Sequence, residues 1–289
     1  LQKEVKNLEN ITTEKLDYGK IDSTWNQYGL QEAYINYGKT ESGWKAIIKN
    51  GKILSIVRKG YKLIPNEEAL GIADKAAKDA NLIPFDKLKQ QEHAKDFGRH
   101  VLLEKDGRRM HAAYAANTDY KIGTDKVFVG VTVNNSIDSS LSFSTGYFTF
   151  RGTCQNLVLG IARRMSALDR EAVNWVYRRH TANFDIELKD VLINAMDSAK
   201  KVLEQYRELA IVEANKAWLT RIQNSRLSKK SLPGYLKAEE KQATIVPEHL
   251  TQWQVYNDIT EIIWHNPKAQ LKTKIHQYNI LHKAIELKI

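Results

Sequence analysis

Apolar and polar residues alternate from Gly43 onward. Trp44-Lys45-Ala46-Ile47-Ile48-Lys49 and Ile53-Leu54-Ser55-Ile56-Val57-Arg58 flank Asn50-Gly51, the dipeptide preferred in tight hairpin turns, so a β-hairpin is predicted there. His100 to Glu104 and Arg109 to Tyr114, around Asp106-Gly107, predict a second hairpin. Lys126 to Val133 and Leu141 to Phe148, joined by the polar turn Asn134 to Ser140, predict a third. Consecutive hairpins imply an antiparallel, twisted sheet. The first forty residues hold scattered aromatics (Tyr18, Trp25, Tyr28, Tyr34, Tyr37) with no sustained period, and read as an irregular arm.

Helical periodicity takes over elsewhere. Pro65-Asn66 before Glu67-Glu68-Ala69-Leu70 has the form of an N-cap with acidic residues in the first turn, and predicts a helix to about Asn81. Thr153 reads as the N-cap of a short helix carrying Leu157, Val158 and Ile161. A strand at Tyr177-Arg178-Arg179-His180 precedes a long helix predicted from Phe184 to about Asn224. Along it Leu188, Val191, Leu192, Ala195, Ala199, Val202, Tyr206, Leu209 and Ala210 form one apolar stripe. Ser231-Leu232-Pro233-Gly234 breaks the pattern, and two short helices separated around Asn266-Pro267 follow. The expected fold is therefore mixed α+β, a curved antiparallel sheet of hairpins packed on a long helix with a small C-terminal helical extension. The expected divisions are an arm at 1–42, a core at 43–228 and the extension at 229–289.

The 289 residues, 42% of them hydrophobic, suffice for a substantial core. Forty-four Lys and Arg against 34 Asp and Glu leave a net charge of +10, which favours a nucleic-acid partner or an anionic surface. No apolar run reaches the roughly 20 residues needed to span a bilayer, and the N-terminus carries no apolar signal-peptide core. The single Cys154 forms no internal disulfide and suits a reducing compartment, so the cytoplasm is the expected location.

The familiar signatures of catalysis are missing from the sequence. There is no His-Glu-x-x-His pattern, no Cys/His set with zinc spacing, no phosphate-binding loop ending in Lys-Ser/Thr and no Gly-x-Ser-x-Gly elbow. No cofactor or metal is expected, and the chain reads as a binding protein. An enzyme using Cys154, its thiol pKa lowered by a helix start and by Arg151, is the alternative from catalysis.

The cations form recurring clusters. Lys45, Lys49, Lys52, Arg58, Lys59 and Lys62 sit on and after the first hairpin, and Arg108-Arg109 follow the second turn. Arg151 precedes the short helix; Arg163 and Arg164 lie on it; Arg178, Arg179 and His180 follow it. Arginine offers a planar fork for phosphate and stacks on bases. These residues are the candidate phosphate contacts, with Tyr147, Phe148, Phe150, Trp175 and Tyr177 interleaved, some for base stacking and most for the core.

Tyr61-Lys62-Leu63-Ile64-Pro65-Asn66-Glu67-Glu68-Ala69, Arg151-Gly152-Thr153-Cys154-Gln155-Asn156 and Arg179-His180-Thr181-Ala182-Asn183 resemble the phage- and plasmid-like domain-of-unknown-function family numbered 932. The likeness covers roughly residues 44 to 225 and leaves out the first forty residues and the helices after Leu232. The order of hairpins, helix and long helix also resembles the Rad-fifty-two and Redβ/RecT group of single-strand annealing proteins. That second resemblance implies a basic groove for single-stranded DNA and assembly into rings or filaments. The sequence as a whole leads to the expectation of ATP-independent single-stranded DNA binding and strand annealing in recombination or repair by a homo-oligomer, with RNA as a possible ligand and no membrane partner. The alternative is a phage or plasmid accessory protein acting through protein contacts.

Overall fold

Asn50 and Gly51 both hold positive φ, 50° and 76°, the conformation a two-residue hairpin turn with primed geometry requires. The computed structural model describes residues 18–88, 100–104, 107–151, 175–179, 188–237, 249–266, 268–269 and 271–287. Its first four strands, β1 (Tyr18–Asp22), β2 (Leu30–Tyr37), β3 (Thr40–Lys49) and β4 (Lys52–Arg58), pair in chain order as one antiparallel sheet. Residues 18–37, read from sequence as an irregular arm, thus supply two of its strands. Their alternation is short and interrupted by a register shift in each pairing, so no period emerges over the window.

The two faces of this small sheet differ. On the inner one, Leu30, Ile47 and Val57 bury themselves with Leu63 and with Ile137, which arrives from a later turn. On the outer one, Ala33, Ala46 and Ile48 pack with Ile35 and Ile53.

After Pro65 the chain enters α1 (Asn66–Asp79), with Glu67 and Glu68 in its first turn as the sequence predicts. A second antiparallel sheet of seven strands follows: β5 (Leu82–Pro84), β6 (Val101–Glu104), β7 (Arg109–Ala116), β8 (Tyr120–Ile122), β9 (Asp125–Ser136), β10 (Phe143–Arg151) and β11 (Trp175–Arg179). The order runs β11-β10-β9-β7-β5, with β6 also on β7 and β8 also on β9. The predicted second and third hairpins are β6-β7 and β9-β10. The first hairpin belongs to the small sheet, so the hairpins divide between two sheets. The larger sheet is curved, and its period-2 alternation sends Met110, Ala112, Tyr114, Val129, Val131 and Val133 to one face, where helices cover them. Phe85, Leu88, Ala113, Ala115 and Phe128 pack on the other.

Four helices complete the described fold: α2 (Leu188–Ile211), α3 (Lys216–Gln223), α4 (Gln252–His265) and α5 (Leu271–Ala284). The stripe predicted for the long helix buries Leu188, Leu192, Ala195, Ala199, Val202, Tyr206 and Leu209 against the large sheet. The helix ends at Ile211, short of the expected Asn224. Glu213 bridges to Thr251, Ala214 N donates to Leu250 O at 2.8 Å, and the Asn215 side chain accepts from Trp218 N to start α3 afresh. The C-terminal helices are joined to the main core: Trp253, Val255, Tyr256, Ile259, Ile263 and Leu281 belong to the same buried cluster as α2. Trp253 Nε1 and Asn257 Nδ2 also donate to Asp125 Oδ2 of β9, at 2.8 and 3.0 Å. None of the described helices is long and apolar enough to cross a membrane.

Candidate nucleic-acid interface

Three turns and one loop meet at one end of the large sheet. Asn66 Nδ2 donates to Gly107 O at 2.6 Å, Tyr61 OH to Ser136 O at 3.0 Å, and Asn135 Nδ2 to Ile64 O at 2.9 Å. Ile137 N donates to Arg108 O at 2.9 Å. These bonds tie the loop after β4 and the β6-β7 turn to the β9-β10 turn, while Ile137 inserts its side chain beneath the small sheet. The β3-β4 turn reaches the same place, because Lys49 Nζ lies 3.7 Å from where a side chain at Gly107 would begin.

Cations from separate hairpins thereby converge. Lys49 and Lys52 face each other across the β3-β4 turn, Arg108 and Arg109 leave the β6-β7 turn, and exposed Lys62 sits between Tyr61 and Ile64. Arg109 is half-buried and its Nε donates to Ser140 Oγ at 2.7 Å. By register, Arg179 pairs with Phe143 and Arg178 with Ser144, at the end of β10 next to the same β9-β10 turn. From β7 to β11 the sheet steps across three strand spacings, about 14 Å.

The remaining candidates are placed differently. Lys45 is buried with its Nζ 2.5 Å from Glu32 Oε1, the two side chains 5% and 10% exposed, so its charge is committed inside the protein. Lys45 is thus corrected from a candidate phosphate contact to half of an internal ion pair. The face of β3 that carries Lys45 packs on Ile137 and Leu63, contacts that the order of residues along the strand does not record. Lys59, exposed, pairs with Glu41 at 2.7 Å, and that carboxylate holds its ammonium above the ordinary value. Arg58 lies over the Trp44 ring, 5.8 Å from its centroid. Arg151 pairs with Val127 at the far end of β10, about 27 Å from Phe143 along the strand. It is therefore separated from Arg178 and Arg179, which the sequence grouped with it. Arg163, Arg164, His180, Cys154 and the short helix expected after Thr153 lie outside the described residues.

A polar row on the large sheet was missed by sequence reasoning. His111, Asn134, Ser144 and Arg178 are successive register partners across β7, β9, β10 and β11. His111 Nδ1 lies 2.6 Å from Asn134 Oδ1, and burial pushes the imidazole down to about 4, so it is neutral at physiological pH. The signal was present in the run Thr132, Asn134, Ser136 at alternate positions of an otherwise apolar strand. Among the described residues no three His, Cys, Asp or Glu gather as a metal site.

Two antiparallel sheets, one of them curved and backed by a long helix, define a mixed α+β protein, with cations collected at one end of the larger sheet. The chain belongs to the family described as Domain of unknown function (DUF932), which it matches over residues 53–284. The match runs through the C-terminal helices, beyond the span the sequence motifs suggested. No curated protein and no solved structure matches, so the architectural likeness to the Rad-fifty-two and Redβ/RecT group finds no support.

Proposed function

We propose that this protein binds single-stranded nucleic acid, DNA in the first instance, and promotes pairing of complementary strands without nucleotide hydrolysis. The observation that carries this reading is the convergence of Lys49, Lys52, Lys62, Arg108 and Arg109 from three separate segments onto one end of the large sheet. Cations gathered by tertiary contacts neutralise neighbouring phosphates together, and each counterion released adds to affinity. Arg178 and Arg179 extend the set by their register positions. In a homo-oligomer working in the cytoplasm, repetition of such patches would align a strand with its bases free to pair.

The test is fluorescence anisotropy of labelled single-stranded and duplex oligonucleotides over a salt series, with a complementary strand added afterwards. Binding to the single strand should weaken with a log-log slope of about −0.7 per neutralised phosphate, and pairing should accelerate. Folded protein that binds no nucleic acid at low salt overturns the proposal. The accessory-protein reading draws on exposed Leu103 and Ile211, and would show as partner binding that survives high salt.

A further inference from the structure

The outer face of the small sheet carries two exposed aromatic side chains and a single charge. Trp44 pairs with Arg58, Ala46 with Ile56 and Tyr37 with Thr40, while Ile21 pairs with Ala33. Ala33, Ala46, Ile48, Ile35 and Ile53 form an apolar floor. Above it Trp44 is 44% exposed, Tyr37 83% and Ile21 53%. The acidic groups of the sheet lie on its other side: Glu32 is held by Lys45, and Glu41 by Lys59, whose ammonium stands 5.8 Å from the Tyr34 ring. Arg58, with its guanidinium over Trp44, is the one charged side chain this face presents among the described residues.

We propose that this face is a stacking platform for unpaired bases, with Trp44 as its principal contact, Tyr37 as a second and Arg58 as the adjoining phosphate or base-plane contact. This rests on the reading of the protein as a single-strand binder and names the part of the ligand the face takes. Three features favour a base over another protein surface. Aromatic rings standing on a strand pair offer flat π surface with little conformational freedom to lose, and every base has a matching face. An arginine plane adds attraction both to a base and to its phosphate. The cation Arg58 beside the exposed Trp44 ring, with no carboxylate on the same face, complements an anionic strand. Lys52 and Arg58 mark the two ends of β4, about 20 Å apart, Arg58 on the platform face and Lys52 beside the turn on the opposite one. A strand lying along β4 reaches Lys52, and through it the cationic end of the large sheet.

The experiment compares the full chain's affinity for fluorescein-labelled oligothymidylate and for an abasic deoxyribose-phosphate strand of equal length at fixed salt. The base-bearing strand should bind about tenfold more tightly. Trp44→Ala should remove most of that preference while leaving the salt slope unchanged, Trp44→Phe should keep it, and Tyr37→Ala should reduce it in part. Circular dichroism of each variant guards against unfolding, and Tyr37→Ala stands as an independent reading should Trp44→Ala lose structure. Equal affinity for the two strands in the unaltered protein overturns the platform and leaves phosphate binding standing. Failure to bind either strand overturns the nucleic-acid reading and the platform with it. A Trp44→Ala change in sedimentation, with unchanged discrimination between strands, overturns the platform and assigns the face to contact between copies.

Discussion

Lys45 and Glu32 show how burial changes the meaning of a charge. Their 2.5 Å pair sits beside the apolar cluster of Leu30, Ile47 and Val57, where an unpaired ion would be strongly disfavoured. Lys45→Ala should therefore destabilise folding by about 3–5 kcal/mol in denaturant titrations. At a temperature where the variant remains folded, its salt slope for single strands should match that of the unaltered protein. A steeper dependence on Lys45 in binding than in folding would return it to the interface. His111 and His282 make a second residue-scale prediction. Burial lowers both, to about 4 and about 3, below the ordinary histidine value. The unfolded chain therefore binds protons that the folded one refuses as pH falls below about 6.5. Stability present above that pH should be lost toward pH 4, by up to about 1.4 kcal/mol per pH unit for each histidine. Urea midpoints at pH 7 and pH 5 would check this, and a flat profile would refute it.

At the scale of elements, the break between α2 and α3 tests why a continuous helical pattern stopped. Apolar spacing continues past Leu209, but Ile211 and Val212 are exposed, at 83% and 42%. Beyond them the backbone turns to the segment preceding α4, through the Glu213–Thr251 bridge and Ala214 N to Leu250 O. Asn215 then caps the new helix by accepting from Trp218 N at 2.9 Å. Asn215→Ala should cost about 1 kcal/mol in thermal or urea unfolding, since one N-terminal donor loses its partner. At the start of α4, Thr251 and Gln254 form a reciprocal capping box, which pins the other side of the same crossing. The three hairpins were legible because their turn residues act locally. The helix break was not, because its cause is a backbone partner nearly forty residues away.

For the whole molecule, Ile137 is the joint between the sheets. It leaves the β9-β10 turn and is buried beneath the small sheet with Leu30, Ile47, Val57 and Leu63. Ile137→Ala should cost about 2–5 kcal/mol by opening a cavity there. It should also weaken nucleic-acid binding without removing any charge, because Lys49 meets the Arg108 turn across that joint. Joint substitution of Lys52, Arg108 and Arg109 by Ala makes the complementary prediction: the log-log salt slope should become shallower by about 2, with folding little changed. A slope unaffected by that change would remove these residues from the interface.

Turn chemistry, alternation and helical period were enough to establish a mixed α+β protein, its three hairpins, the apolar stripe of the long helix and the two C-terminal helices. Each depends on neighbours within a few residues, which the chain order records directly. Which strands shared a sheet, which lysine was buried and which cations met were decided by the tertiary structure. Lys45 and Lys49 stand on one strand only four residues apart. One is sealed against Glu32, and the other lies beside Gly107, in a turn more than fifty residues away. Periodicity assigns both to the same face of β3; only packing of that face on Ile137 separates a buried pair from a surface charge.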